Sequence, residues 1–386
     1  YLDVENYIDY MLVQYWAANG DWPHNNWRAF RDRNDSLSTG FKFAVWDAEF
    51  GIGLYNDVSD VGMMDAPSGL GVAQMHSKLL SNAEYKLRFA DRAQKFMFNG
   101  AALTASQAVP RYRELAALVE PAIVAESARW GDQDGNAAHT VAQWRTRRDY
   151  VLNSFLPQRG AYVLAGLRAR GLYPQVEAPV FARFGGVFTN SLNLTVTSSS
   201  PVYYTTDGSD PRRYGTGAAV GTLYTNGVAL TRTARVKARA LSSGGVWSAL
   251  TDAVFTLSEK PALRVSELMY HPAAPVYTGG EGYLDGDDEF IELTNAGTAP
   301  IGLAGLRFTQ GVSFDFADGA VQTLNPGEFA LVVKDISAFT NRYPSVAASK
   351  IAGTFVFPSQ SLDNGGETIE IQDALGRAVV SFTYNN

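Results

Sequence analysis

Asp21, Asn26 and Asp47 are the residues whose types and spacing could do chemistry. The first two lie in NGDWPHNNW (19–27), where an acid precedes an amide by five positions; the third follows the apolar run FKFAVW (41–46). Phosphoryl transfer asks for such a set: a carboxylate to orient or deprotonate an attacking hydroxyl, and oxygen ligands for Mg2+. In that chemistry Asp21 is the base, and Asn26 and Asp47 are the ligands. The same residues also suit a plain turn, because DWPHNN is rich in turn formers. A third option pairs Asp21 with Asp47 as the two carboxylates of a glycosidase, facing each other across a sugar-sized cleft. The interposed Asn26 suits a metal better. His24 either orients Asp21 or is an ordinary loop histidine.

These residues need a helix before them and a strand between them. Val4, Tyr7, Ile8, Met11 and Tyr15 recur at three- and four-residue steps, an amphipathic stripe that ends near Asn19-Gly20. Phe41, Phe43 and Val45 alternate toward one face of a strand that delivers Asp47, and Phe50-Gly51 turns the chain. Helical periodicity returns over 82–97, 104–130 and 139–170, with Asn82 and Thr104 as N-caps. Pro110 and Pro121 are expected to start or kink helices, not to sit in mid-run. DAPSGLGVAQ (65–74) reads as a small-residue loop that moves or binds. Past EAPVFARFGG (177–186) the texture becomes β. Runs at 192–196, 202–205, 234–240 and 253–257, and then at 289–294, 329–333, 368–372 and 379–384, alternate with turn clusters such as DGSDP and DNGGE. SEKPAL (258–263) is the expected seam between two β segments.

Composition bounds the rest. The chain has 386 residues, 46% hydrophobic and 18% charged, which describes folded domains and not a disordered chain. A formal charge of −7 argues against nucleic acid as a partner, which would call for a basic stripe. No apolar run is long enough to span a membrane. With no cysteine, disulfides, thiolate metal sites and cysteine nucleophiles are excluded. The four histidines (24, 76, 139, 271) form no H-E-x-x-H, and G-x-S-x-G is absent, so zinc and serine hydrolase chemistry lack support.

NYIDYMLVQYWAANGDWPHNNWRAFRDR together with FKFAVWDAEFG resembles the CotH (spore-coat) kinase family over about residues 1–175. The resemblance implies an atypical kinase fold, with Asp21 as catalytic base, Asn26 and Asp47 as ligands of Mg2+ or Mn2+, and ATP as cofactor. Glu49 either joins that metal shell or is simply solvated. A kinase small lobe also needs a phosphate-covering loop and a strand lysine. Neither precedes Asp47, and Lys42 lies on the strand leading to it. The expectation is therefore a large lobe only, inactive as an isolated chain.

PVYYTTDGSDPRRYG (201–215) and WSALTDAVFTL (247–257) resemble the C-terminal β-sandwich module of chitobiases and hexosaminidases. In it Tyr203, Tyr204 and Tyr214 either stack on a carbohydrate or pack internally. LRVSELMYHPA (263–273), DEFIELTNAGTAPIGLAGLRF (288–308) and LNPGEFALVVKD (324–335) resemble the lamin-tail domain, an immunoglobulin-like sandwich with Glu267, Glu289, Ile291, Glu292 and Asn295 in its signature. The loop YLDGDDEFIE could hold Ca2+ through Asp285, Asp287 and Asp288, or be a solvated acidic loop.

The fold expected is thus multidomain: a mainly α kinase-like large lobe (1–175) followed by two immunoglobulin-like all-β sandwiches (176–258 and 259–386). The function expected is the C-terminal part of a secreted or cell-surface bacterial protein kinase. Its partners would be a protein substrate, or a cell-surface or matrix component, with a carbohydrate as a further candidate. The alternative is a non-catalytic extracellular structural or adhesion protein with a degenerate kinase-like lobe.

Overall fold

The computed structural model describes residues 1–23, 25–33, 40–65, 71–133, 138–273, 286–355 and 361–386. A region of six α-helices precedes a region built from sheets. Two compact units result: residues 1–178 together with 242–250, and residues 179–241 together with 251–386.

In the first unit α1 (Val4–Ala17) starts on Asp3, whose side chain accepts from Asn6 N, and ends on Ala18 in the left-handed region. The expected stripe is too narrow. Tyr10, Leu12, Gln14 and Trp16 are buried as well as Tyr7, Ile8, Met11 and Tyr15. A helix buried on almost every face is the centre of its domain, and α1 is enclosed by the cluster that includes Phe89, Phe155, Val163 and Leu167. Each such apolar side chain contributes roughly 1.5–3 kcal/mol of burial.

A two-stranded ladder follows, β1 (Trp27–Phe30) antiparallel to β2 (Lys42–Val45), with Trp27 opposite Val45. Of the three residues expected to alternate, Phe43 alone is buried, under the rings of Tyr7 and Trp27; Val45 and Phe41, the latter just before β2, stay exposed. The reason is that β1 and β2 stand as a pair with no further strand beside them among the described residues.

Helices α2 (Ala73–Leu79), α3 (Ala83–Met97), α4 (Ala105–Trp130), α5 (Val141–Tyr150) and α6 (Leu156–Ala169) complete the unit. Asn82 caps α3 as expected, accepting from Glu84 N and Tyr85 N. Thr104 holds the cap position of α4 without capping it; its hydroxyl donates to Ala101 O instead. Pro110 and Pro121 both sit inside the continuous α4, contrary to expectation. Both are exposed, and so are Ser106 and Ala117, whose carbonyls would have paired with the missing N–H groups, so water can take those bonds. Between α5 and α6 the chain runs as a π-helix over Val151–Phe155. Of the expected loop 65–74, residues 66–70 lie outside the described residues and Ala73 already starts α2.

The second unit holds a five-stranded sheet in which 251–257 and 234–240 are central, the latter pairing with 202–205. The run 192–196 is split in two, Leu192–Leu194 pairing with Val228–Leu230 and Val196–Thr197 with Val180–Phe181. Farther along, two four-stranded sheets enclose Leu263, Ile291, Leu293, Phe308, Phe316, Val332, Ile369 and Ile371. No helix among the described residues is long and apolar enough to cross a membrane.

Candidate functional site

The C-terminal end of α1 delivers Asp21 through a buried amide. Asn19 is fully buried, donates its Nδ2 to Gln14 Oε1 at 2.8 Å, and accepts from Asp21 N at 3.2 Å through its own Oδ1. Trp22 then anchors the turn by donating Nε1 to Tyr10 Oη at 2.6 Å. Burial holds the Tyr10 phenol up at about 12, so it stays a neutral hydroxyl. The Trp22–Pro23 peptide is cis.

Asn26 donates Nδ2 to Asp21 Oδ2 at 2.7 Å. Acid and amide are therefore brought together. Asn26 has φ 59°, and Trp27 begins β1 directly after it. Because Trp27 faces Val45 across the ladder, Asn26 and Asp47 flank the same end of the two strands. Asp47 lies two residues past the last strand residue, exposed, with φ 51°. A non-glycine residue in that region costs on the order of 1–3 kcal/mol and persists where its surroundings over-determine it. Ile52, β-branched, shares the conformation at φ 51°.

The donors available are oxygens of two carboxylates and one amide, the hard ligand set that Mg2+ prefers. With the Asn26 nitrogen turned to Asp21, its Oδ1 is the atom left for a cation. Among the described residues no group of three His, Cys, Asp or Glu is placed to hold a metal. Glu49 is exposed and lines a recess of about 280 Å3 with Gly51, Tyr112 and Arg147. Arg147 donates to Gly53 O and Leu54 O, both at 2.8 Å. His24 lies outside the described residues.

Sequence reasoning gave no role to three supports. Asn19 and Gln14 are buried amides whose role depends on a turn. Arg159 is one of two arginines in α6, with nothing in LPQRGAYV to mark it.

In the second unit Tyr203 and Tyr204 are half-buried on a strand, Tyr204 edge-on to Tyr224, while Tyr214 is exposed. Asp285 lies outside the described residues. Asp287 Oδ1 is 3.7 Å from Lys334 Nζ, and the buried Asp288 takes a bond from Arg342, so side-chain cations already balance both acids. Glu289 accepts from Leu362 N at 2.7 Å, and burial raises its carboxyl to about 7.

Residues 1–163 match the family described as CotH kinase protein, residues 192–255 the Fn3-associated family, and residues 256–386 the lamin tail domain. The segment that resembles the chitobiase-type module is thus the one matched as Fn3-associated. No curated protein matches the chain. The chain joins a domain of the CotH kinase family to an Fn3-associated module and a lamin tail domain.

Proposed function

We propose that the helical domain is the catalytic lobe of a CotH-like protein kinase that transfers a phosphoryl group to a protein hydroxyl. The observation that carries the reading is the Asp21–Asn26 hydrogen bond, set at the end of the ladder that Asp47 also flanks. Asp21, held by Asn19 behind it, accepts the proton of the attacking hydroxyl. Asn26 and Asp47 would hold Mg2+ or Mn2+ through their side-chain oxygens. Bound metal and ATP supply the transferable group and neutralise the charge on its oxygens. The Fn3-associated and lamin tail modules would attach the lobe to its substrate or to a surface component, outside a bacterial cell.

The test is a thermal-shift titration of the full chain with ATP and Mg2+ or Mn2+. A ligand specific to the folded state stabilises by mass action, about 2.7 kcal/mol at a hundred times its dissociation constant. The parent chain is expected to melt higher with both ligands present. Asp47→Ala is expected to show no such rise. An equal rise in the alanine variant rejects the site assignment.

A further inference from the structure

The side chain of Arg159 is wholly buried on α6, and its bonds to oxygen go to main-chain carbonyls, with Met63 Sδ a longer contact at 3.9 Å. Nη2 donates to Tyr15 O at 2.6 Å, Nε to Trp16 O at 2.9 Å and Nη1 to Val58 O at 2.7 Å. Loss of water pulls its pKa down to about 10, with Asp60 and Asp57 acting the other way. A guanidinium is costly to bury, and this one is offset by the negative end of the α1 dipole, where carbonyls lack helical partners.

Those three carbonyls belong to two segments. Tyr15 and Trp16 form the last turn of α1, which leads into Asp21. Val58 closes the stretch that leaves Asp47. Other bonds stitch the same two segments together. Ile52 N donates to Ala17 O at 2.6 Å, Gly20 N to Phe50 O at 3.2 Å, and Asn56 Nδ2 to Ala18 O at 3.0 Å. Gly51 fits because a Cβ there would stand 3.1 Å from Ala17 O. Ile52 keeps its left-handed conformation inside this stitching.

We propose that Arg159 and Asn56 are positioning residues, which clamp the segment after Asp47 onto the end of α1 and so set the Asp21 base relative to the Asp47 ligand. The inference rests on the phosphoryl-transfer reading above. Arginine suits the task because one planar fork reaches carbonyls in both segments, and lysine has no such fork.

The experiment measures Mn2+ binding in the presence of ATP by the electron paramagnetic resonance signal of Mn2+. It uses the full chain and its Arg159→Lys, Asn56→Ala and Asn56→Asp variants, well below their melting temperatures. Thermal unfolding of each variant runs alongside. Arg159→Lys is expected to unfold cooperatively yet bind about 100-fold more weakly, the upper end of the loss in metal affinity that follows when the outer support of the ligands is removed. The Asn56 variants are expected to melt close to the parent and bind about tenfold more weakly. A purely structural role would leave the affinity and the bound-Mn2+ signal of the folded fraction unchanged. If the parent binds and all folded variants bind within twofold of it, the clamp is refuted and the phosphoryl-transfer reading stands. If the parent itself binds nothing, that reading fails and takes the clamp with it. Should Arg159→Lys fail to fold, the two Asn56 variants decide.

Discussion

His76 sits among the rings of Tyr15, Tyr85 and Phe89, with Nδ1 2.7 Å from Tyr85 Oη and its backbone N–H bonded to Tyr7 Oη. Burial pulls its pKa down from 6.5 to about 4. The folded state thus resists a proton that the unfolded chain takes up readily. The stabilising effect is present above pH 6.5 and is lost as pH falls toward 4. His76→Gln, which cannot titrate, should flatten the stability of the helical unit over that window, as followed by urea unfolding at a series of pH values. An unchanged slope would move the acid response elsewhere. Nothing in GVAQMHSK announces a buried ring, because a histidine's environment is made by distant residues. The contact of Asn26 with Asp21 is local by contrast, and a five-residue turn closes it.

Elements with strong periodicity were read correctly in position. The helix after Asn82 and the strands 202–205, 234–240, 329–333 and 368–372 match their expected spans. The extent of burial was less legible, since α1 gains its second face from helices far along the chain. The joint between α5 and α6 is the clearest miss. A continuous apolar pattern over 139–170 conceals the π-turn at Val151–Phe155, a feature that often marks functional neighbourhoods. Gly53, at φ 80°, lies against that turn, and a Cβ there would stand 2.8 Å from the Tyr150 ring and 3.2 Å from Phe155. Gly53→Ala should therefore destabilise the helical unit by roughly 1–3 kcal/mol, combining overpacking with backbone strain. Chemical denaturation of the full chain measures it. A change within experimental error would mean that the rings yield freely.

At the scale of the molecule, three matched modules fold as two units, and the two β modules, apart from residues 242–250, share one of them. Arg235 of the Fn3-associated module pairs with Asp252 beside it, at 2.9 and 2.7 Å, and reaches Asp318 of the lamin tail domain at 2.8 Å. Gly302 lies so close that an added Cβ would fall 1.7 Å from Thr233 O. The texture of SEKPAL, the expected seam, gave no hint of this contact, which joins residues well apart in the chain; the two matched modules meet at 255–256. Gly302→Ala should push the modules apart and split the calorimetric transition of this unit into two. A single undivided transition would contradict the coupling.

The stretch 242–250, though it falls late in the chain, belongs to the helical unit: Ala249 is fully buried in that core, and Leu250 N donates to Asp91 Oδ1 at 2.9 Å. A polypeptide cut back to the matched residues 1–163 would lose this plug and open a hole in its hydrophobic interior. Ribosomal synthesis meets the same constraint, because the lobe cannot finish packing until much of the next module has emerged.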